Sequence, residues 1–477
     1  MVLNYLFMKR VVSGLIILIV IFAFASCTGT LRKDSKSSFD LDAIKKRGKL
    51  IALTDYNSTS YFIYRGTPMG YQYELLQSLA KKLDVDLEII ISNDLDNAFK
   101  KLNAFECDIL AINLTVTQER KQQLTFTDAI GTTRQVLIQK KPFNWEQMAA
   151  YTVDKQLIRN QLDLAGKTVH VMKNSVYVKR LQNLSDEIGD SIQIVEVEDY
   201  DVEQLISLVD NGEIDYTIAD EEVALLNQTY YPAIDVQTAV SFPQKQAWAL
   251  NGANTELLSE VNSWISSMAG TDLKAVIYNK YFRDKKALQR SESEYISLNG
   301  GKISIYDTYI KKYSKTIDWD WRLLASLIFQ ESRFNIEMES WAGAYGLMQL
   351  MPNTAKRFGA DYDSPPEVNI KAGVKFIKWI DNQLNNKVLD EEERIMFILA
   401  AYNVGLGHVL DARRLAEANG KDPNVWTDNV DYFLLNKSNP KYYDSELVKY
   451  GYCRGVETYN YVKEVMARYE MYKKVIR

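Results

Sequence analysis

The chain has 477 residues, too many for a single hydrophobic core, and this length predicts two or three domains. A net charge of -5 argues against nucleic acid as a partner, because binding to a phosphate backbone requires a basic face. The cysteines and histidines are few and scattered: Cys27, Cys107, Cys453, His170 and His408. They leave no cluster for a structural zinc and no recognisable setting for a Ser-His-Asp triad. We therefore expect carboxylate chemistry, with no metal and no cofactor.

The first 27 residues have the pattern of an export signal. A basic pair precedes an apolar run over residues 11–25, which is short for a membrane-spanning helix of about 20 residues. The small residues before Cys27 resemble the lipobox of bacterial lipoproteins, although Phe24 stands where leucine is usual. The resemblance implies that the signal is removed and that Cys27 is lipidated. An uncleaved membrane anchor is the alternative.

Either form of this segment places the rest of the chain outside the cytoplasm. Thr28, rather than aspartate, follows the cysteine and is compatible with the outer membrane. We expect a peripheral, lipid-anchored protein on the periplasmic face of that membrane. Cys107 and Cys453 fall in different predicted domains, so we expect two buried free thiols and no disulfide between them.

The remaining chain divides into an α/β part and a helical part. Residues 28–47 are polar and predict a tether. In residues 48–288 strands are predicted at 49–53, 87–91, 108–113, 167–172 and 214–218, with an amphipathic helix at 73–83. Strands that alternate with helices are typical of α/β domains with mostly parallel sheets. Residues 289–301 predict a linker, and residues 302–477 predict a mainly helical domain.

A helix predicted to start after Asp320 carries a carboxyl group on its apolar face. Asp320 can cap the helix. The face consists of Leu324, Leu327, Ile328 and Glu331, at helical spacing. Burial there would disfavour the ionised form of Glu331 and raise its pKa, as a general acid requires. From the helix alone, an exposed and idle Glu331 at the edge of the apolar stripe is an equal alternative.

Four motifs in the helical part change that balance. ESRFN begins at Glu331, GAYGLMQLMP at Gly343, AYNVG at Ala401 and ETYNYV at Glu457. In this order they resemble the lysozyme-like domain of the soluble-lytic-transglycosylase family. Each motif alone is weak, but the ordered set is specific. The resemblance implies a mainly α, lysozyme-like fold for residues 302–477.

The same resemblance implies a lyase that cleaves peptidoglycan strands in cell-wall turnover and remodelling. Glu331 would protonate the glycosidic oxygen between N-acetylmuramic acid and N-acetylglucosamine. It would then accept a proton from the C6 hydroxyl, which closes a 1,6-anhydro ring. The residues expected to bind the substrate are Ser340, Gln349, Met351, Tyr402, Asn403, Glu457 and Tyr461. Glu457 is expected to orient other groups, not to attack the sugar.

The α/β part resembles the solute-binding proteins of amino-acid transporters. The resemblance rests on GYQYELL from Gly70, LTVTQER from Leu114 and DLAGKTV from Asp163. It implies a two-lobed periplasmic-binding-protein fold, with a second lobe at about residues 145–240. The chain as a whole is thus predicted to be multidomain.

Two residues of the α/β part fit the ligand-binding roles of that family. Arg120, in a T-x-x-R element, would bind the ligand carboxylate through its planar guanidinium, and Asp220 would bind the amine. Asp220 as a helix N-cap is a nearly equal alternative. The implied ligands are amino acids or wall peptides bound in a regulatory role, and a degenerate scaffold is the alternative.

Two other functions stay open from sequence. A lysozyme-type hydrolase would share the fold, but the GLMQ pattern and the lack of a partnered carboxylate argue against it. A catalytically silent binding or sensor lipoprotein would dock on peptidoglycan. The presence of Glu331 on an apolar face argues against that reading.

Overall fold

The computed structural model describes residues 40–198, 200–269, 271–284, 286–287, 290 and 293–476. The predicted signal with Cys27, most of the predicted tether and residues 289, 291 and 292 of the predicted linker lie outside the described residues. None of the helices within those ranges combines the length and apolarity needed to cross a membrane. The described residues form two compact units, one from those within 40–61 and 69–287, and the other from those within 62–68 and 290–476.

A six-stranded sheet forms the first lobe of the first unit. Its strands, numbered in chain order over the whole protein, are β1 (Lys49–Thr54), β4 (Asp86–Ile91), β5 (Ile109–Thr115), β6 (Thr125–Phe126), β7 (Gly131–Thr133) and β13 (Gln244–Leu250). The order is β4-β1-β5-β13-β6, with β7 also paired to β13. β1 runs parallel to both of its neighbours. The strands predicted at 49–53, 87–91 and 108–113 are confirmed, with ends shifted by at most two residues.

Helices cover the sheets of this unit. They are α1 (Leu41–Arg47), α2 (Tyr71–Leu83), α3 (Leu95–Asn103), α4 (Ala150–Asp154), α5 (Val176–Ile188), α6 (Val202–Asn211), α7 (Glu221–Tyr230), α8 (Thr255–Met268) and α9 (Leu273–Phe282). α2 confirms the helix predicted at 73–83, and its leucines Leu75, Leu76 and Leu79 are fully buried. Cys107 is a buried free thiol, as is Cys453 in the second unit, which confirms that prediction.

A five-stranded sheet forms the second lobe. Its strands are β8 (Gln135–Lys140), β9 (Thr168–Met172), β10 (Gln193–Val197), β11 (Tyr216–Asp220) and β12 (Ile234–Asp235), in the order β10-β9-β11-β8-β12. β8 pairs antiparallel with β11, so the second sheet begins before residue 145, where the second lobe was predicted to start. The sequence around residue 135 carries no boundary signal, because β8 is an ordinary buried strand whose partner lies far along the chain.

The second unit is built from helices around one core. They are α10 (Asp307–Ser314), α11 (Trp321–Ser332), α12 (Pro352–Phe358), α13 (Pro366–Leu384), α14 (Glu391–Val404), α15 (Leu406–Ala418), α16 (Asp431–Leu435), α17 (Pro440–Tyr443) and α18 (Gly455–Val475). Asp320 caps α11 as predicted, since its Oδ1 accepts a hydrogen bond of 2.9 Å from the Arg322 backbone N–H. The predicted apolar face of α11 is buried in the core.

One short hairpin departs from the predicted division of the chain. β2 (Phe62–Tyr64) and β3 (Thr67–Met69) lie within residues 48–288, yet residues 62–68 group with the second unit. Ile63 is buried in the helical core, and the Tyr472 hydroxyl donates a 2.8 Å hydrogen bond to the Gly66 carbonyl. The sequence does not indicate which of the two hydrophobic cores will bury an apolar strand residue such as Ile63.

Candidate active site and ligand cavity

Glu331 lies in the last turn of α11, and its carboxylate accepts a hydrogen bond from α18. The Tyr461 hydroxyl, from α18, donates a hydrogen bond of 2.5 Å to Glu331 Oε1. Burial raises the pKa of Glu331 to about 7, and the Tyr461 hydrogen bond offsets only part of that rise. Among the described residues no other carboxylate contributes to the shift. A carboxyl group with this pKa can both donate and accept a proton near neutral pH.

The backbone after Glu331 turns sharply. Arg333 and Phe334 both adopt left-handed conformations, with φ of 52° and 62°. The Ser332 hydroxyl donates a 2.9 Å hydrogen bond to the Leu347 carbonyl and so ties the end of α11 to the following loop. The turn therefore fixes the position of Glu331 relative to the GAYGLMQLMP loop.

Gly346 shows why that loop needs glycine. Its φ is 77°, and a Cβ at this position would lie 2.4 Å from the Asn369 side-chain nitrogen. Asn369 is 1% exposed and its Oδ1 accepts a 2.9 Å hydrogen bond from the Met348 backbone N–H. Gly343 also has a positive φ, 83°, but open space beside it. The backbone bends at both glycines, and of the two only Gly346 is also required by close packing.

Tyr402 and Asn403 approach the site from α14. Burial raises the pKa of Tyr402, and the charge of Glu331 adds to the rise, which reflects the proximity of the two side chains. The Tyr402 hydroxyl donates a 2.7 Å hydrogen bond to the Met348 carbonyl. Asn403 is exposed, and its Oδ1 accepts a 2.7 Å hydrogen bond from the Thr458 hydroxyl. Tyr402 therefore supports the loop, whereas the exposed amide of Asn403 stays accessible to a substrate.

Ser340 and Gln349 also form hydrogen bonds within the loop. Ser340 Oγ accepts a 2.9 Å hydrogen bond from the Ala344 backbone N–H. Gln349 Nε2 donates to the Met338 carbonyl at 2.8 Å. Met351 is 46% exposed. Trp341, which was not predicted as a site residue, is 99% exposed in the same loop and offers a flat apolar face suited to a sugar ring.

Glu457 forms no hydrogen bond or ion pair with the other predicted residues that the structure describes, and its role stays a prediction. It lies on the exposed edge of the first turn of α18, with Arg454 as its ionic partner at 3.5 Å. Thr458 and Tyr461 make the contacts to Asn403 and Glu331 instead. Their spacing of three residues places them on one helical face, and this spacing is the signal that could have identified Thr458. No sequence signal marks Asn369.

Arg120 and Asp220 line one cavity of about 110 Å³ between the two sheets of the first unit. The Arg120 guanidinium donates to the Thr115 carbonyl at 3.2 Å and forms no ion pair with any described residue. Asp220 stands at the N-cap position of α7, but its side chain makes no capping hydrogen bond. Its Oδ2 accepts a 2.8 Å hydrogen bond from Gln246 Nε2 instead. Burial, followed by the charge of Glu222, raises the pKa of Asp220 to about 7.

These two sites lie in domains of known families. Residues 308–425 match the family "Transglycosylase SLT domain", and residues 49–284 match "Bacterial extracellular solute-binding proteins, family 3". The first unit therefore has the periplasmic-binding-protein fold that was predicted, and the helical unit is a transglycosylase domain. Together the fold and the site define the class of the protein, a lytic transglycosylase joined to a solute-binding domain.

Whole-chain relatives define the family more closely. The chain is 32% identical over 444 residues to membrane-bound lytic murein transglycosylase F of Desulfosudis oleivorans, covering 92% of this chain and 93% of that one. It is 31% identical over 435 residues to the protein of the same name from Pseudomonas fluorescens, covering 90% and 86%. The chain belongs to the membrane-bound lytic murein transglycosylase F family.

A solved structure is similar to about half of the chain. The holo form of ArgBP from T. maritima is 21% identical, has a TM-score of 0.40 and covers 50% of this chain and 99% of its own.

Proposed function

We propose that the helical unit cleaves the β-1,4 bond between N-acetylmuramic acid and N-acetylglucosamine in peptidoglycan and leaves 1,6-anhydro ends. The observation that supports this most is the isolation of Glu331. It is a carboxyl group with a pKa raised to about 7 and with no second carboxylate contributing to that rise among the described residues. The reaction serves cell-wall turnover and remodelling.

The reaction needs Glu331 in two successive roles. As an acid, Glu331 gives its proton to the glycosidic oxygen while the bond from that oxygen to C1 breaks, and the N-acetyl group of the sugar stabilises the positive charge at C1. As a base, the Glu331 carboxylate takes the proton of the C6 hydroxyl while the C6 oxygen bonds to C1. The glutamic acid is restored, no water is consumed, and a pKa near neutrality suits both steps.

A single carboxyl group favours this route over hydrolysis. Most hydrolytic glycosidases use two carboxylates, one for the leaving group and one for water or for C1, with substrate-assisted exceptions. The Tyr461 hydroxyl cannot replace the second carboxylate, because burial holds its pKa well above the ordinary value. Tyr461 instead positions Glu331.

Digestion of purified peptidoglycan by the full chain in detergent, with mass spectrometry of the products, tests the proposal. We expect anhydro-muropeptides from the wild type and none from Glu331→Gln. Glu337→Gln, an exposed glutamate in the same segment, is the matched control and should behave as the wild type. Products with reducing ends would show that the protein is a hydrolase. The absence of products from the wild type and from every variant would indicate a binding or sensor protein.

We propose further that the first unit binds amino acids or wall peptides and regulates the helical unit. The pairing of Arg120 with Asp220 in one cavity supports this, since the two groups complement the carboxylate and amine of an amino acid. Calorimetry with amino acids, followed by cleavage rates with and without the bound ligand, tests it. Ligand binding that leaves the cleavage rate unchanged would contradict the proposed regulation.

We propose that the protein is held by a lipid on Cys27 at the periplasmic face of the outer membrane. The sequence pattern up to Cys27 supports this, and so does the name of the relatives, which describes them as membrane-bound. Membrane fractionation of cells that express the wild type or Cys27→Ala tests it. An unchanged outer-membrane fraction for Cys27→Ala would contradict lipid anchoring.

A further inference from the structure

The hairpin of β2 and β3 is built into the helical unit, although most of the α/β part separates the two in the sequence. The Ile63 backbone N–H donates a 2.9 Å hydrogen bond to Ser297 Oγ. The Arg65 backbone N–H donates one of 3.1 Å to the Tyr295 carbonyl. Together with the burial of Ile63 in the helical core, these contacts fix residues 62–68 as part of that unit.

Gly66, at the tip of the hairpin, packs against groups close to the catalytic candidate. A Cβ at this position would lie 2.9 Å from ring carbons of Phe329 and Phe334, and 2.7 Å from the Tyr472 hydroxyl. Phe329 and Phe334 flank Glu331 in the sequence, and Tyr472 lies on α18, the helix that provides its hydrogen-bond partner. Only glycine fits so closely, and a φ of 77° favours glycine as well.

The turn after Glu331 depends on support from its surroundings. Arg333 and Phe334 carry side chains but adopt consecutive left-handed conformations, with φ of 52° and 62°. Such conformations are unfavourable for residues with a Cβ and persist only where neighbouring contacts hold them. The Phe334 ring packs edge to face on Phe329, with the ring centroids 5.8 Å apart, and against Gly66. The hairpin therefore supplies one of the contacts that hold this turn.

A buried hydrogen bond holds the tip of the hairpin on α18. The Tyr472 hydroxyl donates 2.8 Å to the Gly66 carbonyl, and the Tyr472 side chain is fully buried. Burial raises the pKa of Tyr472, so the hydroxyl keeps its proton and stays a donor. Tyr472 follows Tyr461 by about three helical turns, so the two side chains project from one face of α18. That face therefore contacts both the hairpin and the carboxyl group of Glu331.

We infer that Gly66 is a positioning residue for the transglycosylase reaction. Its contacts with Phe334 and Tyr472 hold the carboxyl group of Glu331 in the position from which it transfers protons. The inference rests on the proposed role of that carboxyl group as acid and base. The family match of the catalytic domain covers residues 308–425, so the hairpin adds to the site a segment from outside that match.

Cleavage of soluble peptidoglycan strands by the full chain in detergent, measured over substrate concentration and pH, tests the inference. Gly66→Ala puts a Cβ 2.9 Å from the Phe334 ring, so the turn must shift. We expect kcat at least about tenfold lower and KM within about twofold, because proton transfer is more sensitive than binding to a small displacement of Glu331. The alkaline limb of the kcat profile should move to higher pH, because a weaker hydrogen bond from Tyr461 favours the protonated carboxyl group.

Two further variants make the result specific to the hairpin contact. Gly420→Ala adds a Cβ at a similar φ, 73°, in the same unit but with open space beside it, so it should keep the wild-type kcat and pH limb. Tyr472→Phe keeps the ring and removes only the hydrogen bond to the Gly66 carbonyl. It should lower kcat about threefold and move the limb in the same direction, and it replaces Gly66→Ala as the test if that variant does not fold.

The possible results separate positioning from stability and from substrate binding. A wild-type kcat in Gly66→Ala, or in Tyr472→Phe if the first variant does not fold, would overturn the inference even if thermal unfolding showed lower stability. A lower kcat with an unmoved limb would also overturn it, because the effect would not act through Glu331. So would a raised KM alone, which would indicate a substrate-binding element. Cleavage that persists in Glu331→Gln would instead overturn the proposed role of Glu331.

Discussion

Glu331 in the helical unit and Asp220 in the α/β unit are both carboxyl groups whose pKa burial raises to about 7. Their surroundings differ. The described neighbours of Glu331 that interact with it, Tyr461 and Tyr402, are neutral, whereas Asp220 shares a cavity with Arg120 and other carboxyl groups. A raised pKa alone therefore does not identify a catalytic acid. A carboxyl group without charged neighbours can donate a proton and take one back during catalysis. A carboxyl group surrounded by charges is suited to bind a charged ligand.

The largest expected effect is the loss of cleavage in Glu331→Gln. An amide cannot give or take the proton, so we expect a rate at least about 1000-fold lower, within the range for general acid–base catalysis. Turnover of purified peptidoglycan measures it. As a control, the affinity of the first unit for its ligand should stay within about twofold of the wild-type value. A cleavage rate within about tenfold of the wild type would contradict a catalytic role for Glu331.

The same substitution should change the pH dependence of stability. The ordinary pKa of a glutamate is 4.5, and that of Glu331 in the folded protein is about 7. Its favourable contribution to folding is therefore complete below pH 4.5 and is lost as the pH rises past 7, a difference of up to about 3 kcal/mol. Denaturant unfolding of the wild type and of Glu331→Gln between pH 4.5 and 8 measures it. Parallel pH profiles for the two proteins would contradict the raised pKa.

Arg120→Ala should weaken ligand binding in the first unit. The guanidinium has no ion-pair partner among the described residues, so its charge is available to a ligand carboxylate. We expect an affinity about 100-fold lower, as for loss of a buried charge-assisted hydrogen bond. Calorimetry measures it, with Arg180→Ala, whose ion pair with Glu187 lies at the surface, as the control. An unchanged affinity would leave Arg120 as a structural residue.

Tyr461→Phe should give the smallest effect and the most specific one. Its hydroxyl favours the ionised form of Glu331, so its removal should raise the pKa of Glu331 further. We expect cleavage about tenfold slower, with the alkaline limb of the pH–rate profile moved to higher pH. A slower enzyme with an unmoved limb would indicate a merely structural role for Tyr461.

Local patterns predicted much of the helical site. The cap at Asp320 and the apolar face of α11 depend on residues close together in the chain, and the structure confirms both. The contacts of Glu457 were not predictable in this way. Which residue of the first turn of α18 reaches Asn403 depends on how α18 packs against α14, and that packing is set by the whole core.

Long-range pairing limits what the sequence predicts of the α/β unit. Arg120 and Asp220 were found through motifs, but Asp55 and Glu203, which line the same cavity, were not, because they belong to different lobes and neither stands in a recognised motif. The membership of β8 in the second sheet likewise depends on its pairing with β11. The fold brings such residues close together, and their spacing along the chain does not predict that proximity.

Digestion of peptidoglycan in water enriched in heavy oxygen tests the central claim most directly. Intramolecular attack by the C6 oxygen uses no water, so the account predicts cleaved strands whose new muramic ends carry no heavy oxygen and have lost the mass of one water relative to reducing ends. Incorporation of one heavy oxygen at each new end would contradict it and would make Glu331 the acid of a hydrolase.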